Sequence, residues 1–255
     1  MEQMRQKRVK LLASDIDGTL LGDAAAAERF RAAWWALRPG DRPLLVYNSG
    51  RMVDDIAALV DAKDLPPPDY MIGGVGTTIA DGLVRRELRA FTEQLGPPLD
   101  PSTVAAIMQA VEGARRQADA DQSRYKASWN LPDAGEDRLR DIAGQLAGAG
   151  LDVKLIYSSN RDLDILPRAG GKGGALAWIC RGLSLSFDEV VVAGDTGNDC
   201  EMFDLPQVRG VVVANALPEL RQAVAHERRH LLARGSHADG VLEGLRRWGI
   251  IRESN

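Results

Sequence analysis

Val9-Lys10-Leu11-Leu12-Ala13-Ser14-Asp15-Ile16-Asp17-Gly18-Thr19 is a short apolar run that breaks off into two carboxylates. Such a run reads as a strand buried on both faces, the kind found in parallel sheets. Asp is depleted from strand interiors and costly to bury unpaired. Asp15 and Asp17, at i and i+2 where the strand ends, therefore point the same way and must share something cationic. A divalent metal is the simplest candidate. Gly18 allows a sharp turn close to a ligand, and Thr19 supplies a hydroxyl that hydrogen-bonds locally to fix the turn. Taken alone, the segment also fits an acidic turn capping the following helix.

Val190-Val191-Val192-Ala193-Gly194-Asp195, followed by Thr196-Gly197-Asn198-Asp199, repeats the design far downstream. Ligands of open parallel sheets bind beyond the carboxyl ends of the strands, so Asp15, Asp17, Asp195 and Asp199 can converge on one crevice. Hard carboxylate oxygens without His or Cys beside them favour Mg²⁺ over zinc or copper. Leu44 to Asn48 reads as a third strand, and Ser49-Gly50-Arg51 as the start of the next helix, with Ser49 as its N-cap. A hydroxyl and free amides at a helix start form an anion site. Gly170-Gly171-Lys172-Gly173-Gly174 opens another helix where Lys172 can neutralise phosphate oxygens. Each has a plainer reading, an ordinary cap for Ser49 and a solvated surface lysine for Lys172.

In their order, Asp15-Ile16-Asp17-Gly18-Thr19, Ser49-Gly50-Arg51, Lys172 and Gly194-Asp195-Thr196-Gly197-Asn198-Asp199 resemble the four motifs of haloacid-dehalogenase-type phosphohydrolases. The resemblance covers nearly the whole chain. It implies Asp15 as the nucleophile that becomes an aspartyl phosphate, and Asp17 as the acid for the leaving oxygen and then the base for water. It implies Mg²⁺ held by the Asp15 carboxylate, the main-chain carbonyl of Asp17 and Asp195, with Asp199 in or next to the shell. Ser49 and Lys172 would bind the transferring phosphoryl oxygens, with Gly50, Arg51 and Asn198 at the phosphate or substrate. An acid at position 17 favours a phosphatase or phosphomutase over a dehalogenase or an ion pump.

Strands and helices alternate from the start, the pattern of an α/β fold with a Rossmann-like, doubly wound parallel-sheet core. Helices are expected at Ala24 to Leu37 and Met52 to Ala62. Between residues 86 and 167 the pattern changes to an inserted α+β cap: a helix from Pro101 to Gln117, a strand near Arg124 to Leu131, a helix from Asp133 to Leu146, and strands near Leu151 to Tyr157 and Leu163 to Leu166. The core is then 1–85 and 168–255, resuming with strands at Val190 to Ala193 and Val208 to Ala214 and closing with a helix from Ala238 to Trp248. Lying between the Ser49 and Lys172 motifs, the insert stands where the resemblance implies a lid that excludes water and limits access to small phosphorylated metabolites.

Tyr47 to Arg51, Asp69 to Thr77, Tyr157 to Pro167 and Gly210 to Leu220 are similar to sucrose-phosphate phosphatases, and more closely to mannosylfructose-phosphate phosphatases. Tyr125-Lys126-Ala127-Ser128-Trp129 only partly follows the sucrose-phosphatase pattern, which leaves the sugar pair open. Lys126 is expected to contact sugar hydroxyls; Trp129 either stacks on a pyranose or packs in the cap. His226-Glu227-Arg228-Arg229-His230 matches His-Glu-x-x-His, the zinc-protease helix. Arginines stand where that helix packs inside, and Ala233 and Ser236 break the longer pattern, so three surface histidines are expected instead. Gly74-Val75-Gly76 fails as a dinucleotide loop because Ile79 holds the third glycine place, and Lys172 lacks the following hydroxyl of a P-loop.

The 255 residues, 45% hydrophobic, suffice for a large core with a smaller domain. A net charge of −4 and the lack of a basic stripe with interleaved aromatics exclude a nucleic-acid footprint. Two cysteines, Cys180 and Cys200, imply no disulfide framework and a reducing compartment. Met1 to Lys10 is charged and the apolar run after it is too short for a signal peptide or membrane span, so a cytoplasmic protein is expected. Trp34-Trp35 is a subunit contact or core. Three readings stand: a Mg²⁺-dependent disaccharide-phosphate phosphatase with a cognate sugar-phosphate synthase as its expected partner, a phosphohexomutase using the same aspartyl phosphate, and a non-catalytic sugar-phosphate sensor. The last would show a broken motif, and none is broken.

Overall fold

The computed structural model describes residues 7–251. Most of the charged amino terminus, on which the signal-peptide reading rests, lies outside the described residues. The chain begins β1 (Leu11–Ser14), α1 (Ala24–Ala36), β2 (Leu44–Asn48), α2 (Val53–Asp61), β3 (Tyr70–Gly73) and β4 (Thr78–Asp81). An insert follows: α3 (Arg89–Thr92), α4 (Pro101–Gln109), β5 (Arg115–Arg116), β6 (Ala127–Asn130), α5 (Glu136–Gly148), β7 (Val153–Ser158) and β8 (Asp162–Pro167). It closes with α6 (Lys172–Gly182), β9 (Val190–Gly194), α7 (Cys200–Phe203), β10 (Arg209–Val212), α8 (Pro218–Ala223), β11 (His230–Leu232) and α9 (His237–Arg247).

Among the described residues, seven strands form one sheet in the order β11-β10-β9-β1-β2-β3-β4, all parallel except β4. β1 sits at its centre, and every residue of β1 and β9 is buried, as their unbroken apolar runs require. Ser14 stands level with Tyr47 on one side and Ala193 on the other, so three strands end flush. Whatever follows them meets at one edge. That edge is the switch point where the chain leaves β1 in both directions across the sheet.

α1 starts where the Asp23 carboxylate accepts the Ala26 amide at 2.9 Å. Its buried residues Ala26, Ala27, Phe30 and Trp34 recur at helical spacing, and the Phe30 and Trp34 rings stack at 5.8 Å. Each such large side chain contributes about 1.5–3 kcal/mol by leaving water. Trp35, one residue on, turns to solvent at 55% exposure with the Arg42 guanidinium 4.9 Å from its ring centre. The tryptophan pair thus divides between core and surface.

The insert carries its own antiparallel sheet, β5-β6-β8-β7, with a separate apolar cluster from Val104 to Ile165. Phe91 of α3 belongs instead to the larger cluster, edge-on to Trp178 at 5.7 Å. Trp129, level with Leu163 in the neighbouring strand, is buried in the insert's cluster, which removes it as a stacking platform.

Several expectations need correction. α4 ends at Gln109, not Gln117, because the chain turns through Val111 and Ala114 to form the two-residue β5. α2 begins at Val53 with Met52 as its cap residue, so Ser49 is not a helix N-cap. The His-Glu-x-x-His stretch is a turn running into β11; His230 is buried edge-on against Phe203 at 5.2 Å rather than lying on the surface. No helix among the described residues is long and apolar enough to cross a membrane.

Candidate active site

The Asp15 amide donates to the Ala193 carbonyl at 2.9 Å, carrying the β1–β9 ladder one residue past β1. Asp15 and Asp195 thereby leave adjacent strand tips together. Carboxylate oxygens of Asp15, Asp195 and Asp199 all lie within 4.8 Å of one another, and all three residues are buried. Gly18, at φ +79°, lets the turn after Asp17 fold over Asp195: a Cβ there would collide with the Asp195 Oδ2. The Thr19 hydroxyl does not act only locally. It donates to Asp195 Oδ1 at 3.1 Å, tying the two strand tips across the crevice.

Lys172 is the first residue of α6 and has no exposed surface. Its Nζ donates to Asp15 Oδ1 at 2.6 Å and to Asp199 Oδ1 at 2.7 Å, so it is not a surface lysine. Burial alone would depress its pKa, but Asp15 and Asp199 outweigh burial and hold it above the ordinary lysine value. Burial raises Asp15 well above the usual carboxylate range, with Lys172 opposing and Asp199 and Asp195 adding to the rise. Asp195 is pushed up to about 7, by burial first and then by Asp199.

Three carboxylates against one ammonium leave the pocket electrostatically unfinished. A hard divalent cation fits this donor set. The Oδ2 atoms of Asp15 and Asp195 have no protein donor among the described residues, whereas both oxygens of Asp199 are engaged. Asp199 Oδ2 accepts the amides of Asp195 at 2.9 Å and Thr196 at 3.1 Å while Oδ1 holds Lys172. Asp199 is therefore built as a brace for the loop and the lysine.

Asp17 lies at the mouth, its side chain half-exposed, and Arg51 grips it with two hydrogen bonds of 2.7 Å. Ser49 is buried one residue beyond β2, its amide held by the Ile72 carbonyl and its Oγ accepting the Arg51 amide at 3.2 Å. The β2 tip is fixed to the lysine as well: Asn48 Nδ2 donates to the Lys172 carbonyl at 2.9 Å.

From the insert, Lys126 faces the same crevice, a space of ≈ 950 Å³ that also meets Asp15, Ser49, Gly50, Arg51 and Asn198. That is ample for a disaccharide phosphate. Lys126 Nζ donates to the Asp121 carbonyl at 3.0 Å and stands 3.7 Å from Asp164, which accepts the Ser128 hydroxyl at 2.5 Å. Asn198 Oδ1 is buried without a hydrogen-bond partner among the described residues. Every residue predicted for the site is thus gathered in or beside one crevice. The sequence reading missed Asp164 and Asp121; the signal for Asp164 was its place two residues from Asp162 on one strand, which sets both on one face.

The family model described as sucrose-6F-phosphate phosphohydrolase matches residues 8–249. The chain is 48% identical to mannosylfructose-phosphate phosphatase of Agrobacterium fabrum (strain C58), over 96% of this chain and 98% of that protein. It is 33% identical to sucrose-phosphatase 2 of Nicotiana tabacum over 87% of its own length, spanning about half, 54%, of the tobacco protein. Among solved structures it is similar to the sucrose-phosphatase of Synechocystis sp. PCC6803 in complex with sucrose and phosphate, with a TM-score of 0.85, 29% identity, and coverage of 95% of this chain and 98% of that one. A subclass IIB sugar phosphatase of the HAD superfamily shares the fold at a TM-score of 0.67 and 15% identity, over 95% and 100% of the two chains.

Proposed function

Because the chain belongs to the sucrose-6F-phosphate phosphohydrolase family, we propose that it is a Mg²⁺-dependent phosphatase releasing inorganic phosphate from a disaccharide phosphate, mannosylfructose phosphate or sucrose 6-phosphate. Asp15 attacks phosphorus and carries the phosphoryl group as an aspartyl phosphate. Asp17 protonates the departing sugar oxygen, then takes a proton from the water that hydrolyses the intermediate. Lys172 and Ser49 bind the phosphoryl oxygens, Gly50, Arg51 and Asn198 surround them, and Lys126 meets the sugar. Asp15, Asp195 and the main-chain carbonyl of Asp17 would hold the metal. Its charge complements the phosphoryl oxygens, where phosphoryl transfer takes most of its catalysis from positioning and electrostatics.

The carrying observation is the buried Lys172 Nζ, shared between Asp15 and Asp199, with Asp15 opening on the crevice that the Lys126–Asp164 pair also lines. The insert, 86–167, acts as the cap that closes this crevice. A sugar-phosphate synthase is the class of reaction that must supply such a substrate. Two unbridged cysteines, Cys180 and Cys200, accord with a cytoplasmic setting.

A phosphate-release screen over mannosylfructose phosphate, sucrose 6-phosphate, trehalose 6-phosphate and hexose monophosphates tests the reading. The expected result is a preference for one of the first two, with free disaccharide and phosphate formed in equal amounts. Isomerisation of hexose phosphates without phosphate release would replace the phosphatase by a mutase.

Metal removal has a thermal signature. Mg²⁺ at a hundred times its Kd is expected to stabilise the protein by about 2.7 kcal/mol, a rise in Tm of roughly 5–10 °C for a chain of this size, reversed by EDTA. The pH dependence follows from Asp195, whose folded pKa of about 7 lies above that of an unfolded aspartate. The folded state then holds the extra proton, so without metal this contribution to stability is present at acid pH and lost as pH rises through about 7. Mg²⁺ should cancel that loss. Melting curves from about pH 5 to 8, with and without the ion, check both expectations, and flat, superimposable curves would remove the metal from the site.

A further inference from the structure

Two contacts tie the insert to the catalytic loops from a strand that does not line the crevice with its central residues. Glu219 of α8 accepts the Ser159 amide at 3.0 Å, just past the end of β7. Beneath it lies Gly197, inside the Asp195–Asp199 loop, where a Cβ would meet Glu219 Cγ at 2.9 Å and the Tyr157 carbonyl of β7 at 3.1 Å. Further back along β7, Lys154 pairs with Glu201 of α7, the two side chains 22% and 30% exposed. This pair covers Gly171, the residue before Lys172: a Cβ there would collide with both Glu201 Oε2 and Lys154 Nζ. The insert therefore rests directly on the backbone of two catalytic loops, at the two glycines whose missing side chains make room for it.

We propose that Lys154 and Glu201, assisted by Glu219, are positioning residues that seat the insert so that Lys126 and Asp164 face Asp15 across the crevice. The proposal rests on the phosphatase reading above. None of the three lines the crevice, so none touches substrate. Their effect should reach only substrates long enough to need the insert. A disaccharide phosphate spans from the strand tips to Lys126, whereas a small aryl phosphate needs only the phosphoryl end. A partly buried pair holds its geometry better than a solvated one, and a charge exchange between its members tests whether their mutual attraction, rather than either side chain alone, makes the seat.

Glu201→Gln in the full-length chain is expected to lower kcat/KM for mannosylfructose phosphate about ten-fold, while kcat/KM for p-nitrophenyl phosphate stays within about two-fold. Lys154→Glu combined with Glu201→Lys should recover most of the loss. Equal losses on both esters, no loss on either, or no recovery in the exchanged pair would overturn the proposal. Hydrogen exchange separates it from the functional reading. The amides of 154–159, on the insert's side of these contacts, should exchange faster in Glu201→Gln and be protected again in the exchanged pair. If the wild type hydrolyses neither ester, the phosphatase reading fails and exchange alone judges the seat, which unchanged rates would overturn.

Discussion

Asp15→Asn is expected to lower turnover by on the order of 10⁴-fold or more while the variant melts at or slightly above the wild type in metal-free buffer. The two halves of that expectation come from one geometry. As the nucleophile, Asp15 must present a carboxylate oxygen to phosphorus, and a carboxamide is a poor substitute of the same shape. As part of the fold, however, Asp15 is a buried acid beside two others, its ionised form opposed by burial, by Asp199 and by Asp195 and favoured by Lys172. The carboxamide oxygen of the variant side chain can still accept from Lys172 Nζ without adding charge. Stability is therefore kept or gained, and the thermal shift produced by Mg²⁺ shrinks because one donor is gone. Phosphate release and melting measured on the same preparation check this. Release near the wild-type rate would refute Asp15 as nucleophile, and a collapsed melting transition would show that its charge is structural.

The parts of the molecule that sequence patterns reveal are those whose cause is local. Leu11–Ser14 and Val190–Gly194 are legible because a strand buried on both faces needs an unbroken apolar string, and the acids after them stand out by contrast. Three-residue β11 hides because it is too short for a period of its own and follows charges that mimic a helical motif. Two-residue β5 is a pair of exposed arginines with no apolar signature, so nothing in the pattern stops α4 before it. Ser49 has the residue type that suits a cap, yet its hydroxyl serves the Arg51 amide in a turn that precedes the helix. Lys172 is the clearest limit. Flanked by glycines, it has the local features of a surface lysine, and its complete burial depends on Asp15, 157 residues away. Nothing near it in sequence carries that information; only the order of motifs along the chain did.

That long-range dependence makes Lys172→Met costly to the fold as well as to turnover. Met fills the volume but leaves Asp15 Oδ1 and Asp199 Oδ1 without their donor, Asp15 nearly buried and Asp199 fully so. Removing one partner of a buried ionic cluster costs about 3–5 kcal/mol, a fall in Tm of roughly 10 °C for a chain of this length. Turnover should drop by about 10²–10³-fold because a preorganised donor to the phosphoryl oxygens is lost. Two further measurements distinguish electrostatics from packing. Acidification should narrow the stability gap, since Asp15 already has a raised pKa and loses the cation that opposes the rise. Adding Asp15→Asn to Lys172→Met should restore part of the lost stability, a coupling opposite in sign to two independent defects. A gap that stays constant with pH, together with strict additivity in the double variant, would mean that Lys172 stabilises the fold by filling space, and its charge would then have to be explained by catalysis alone.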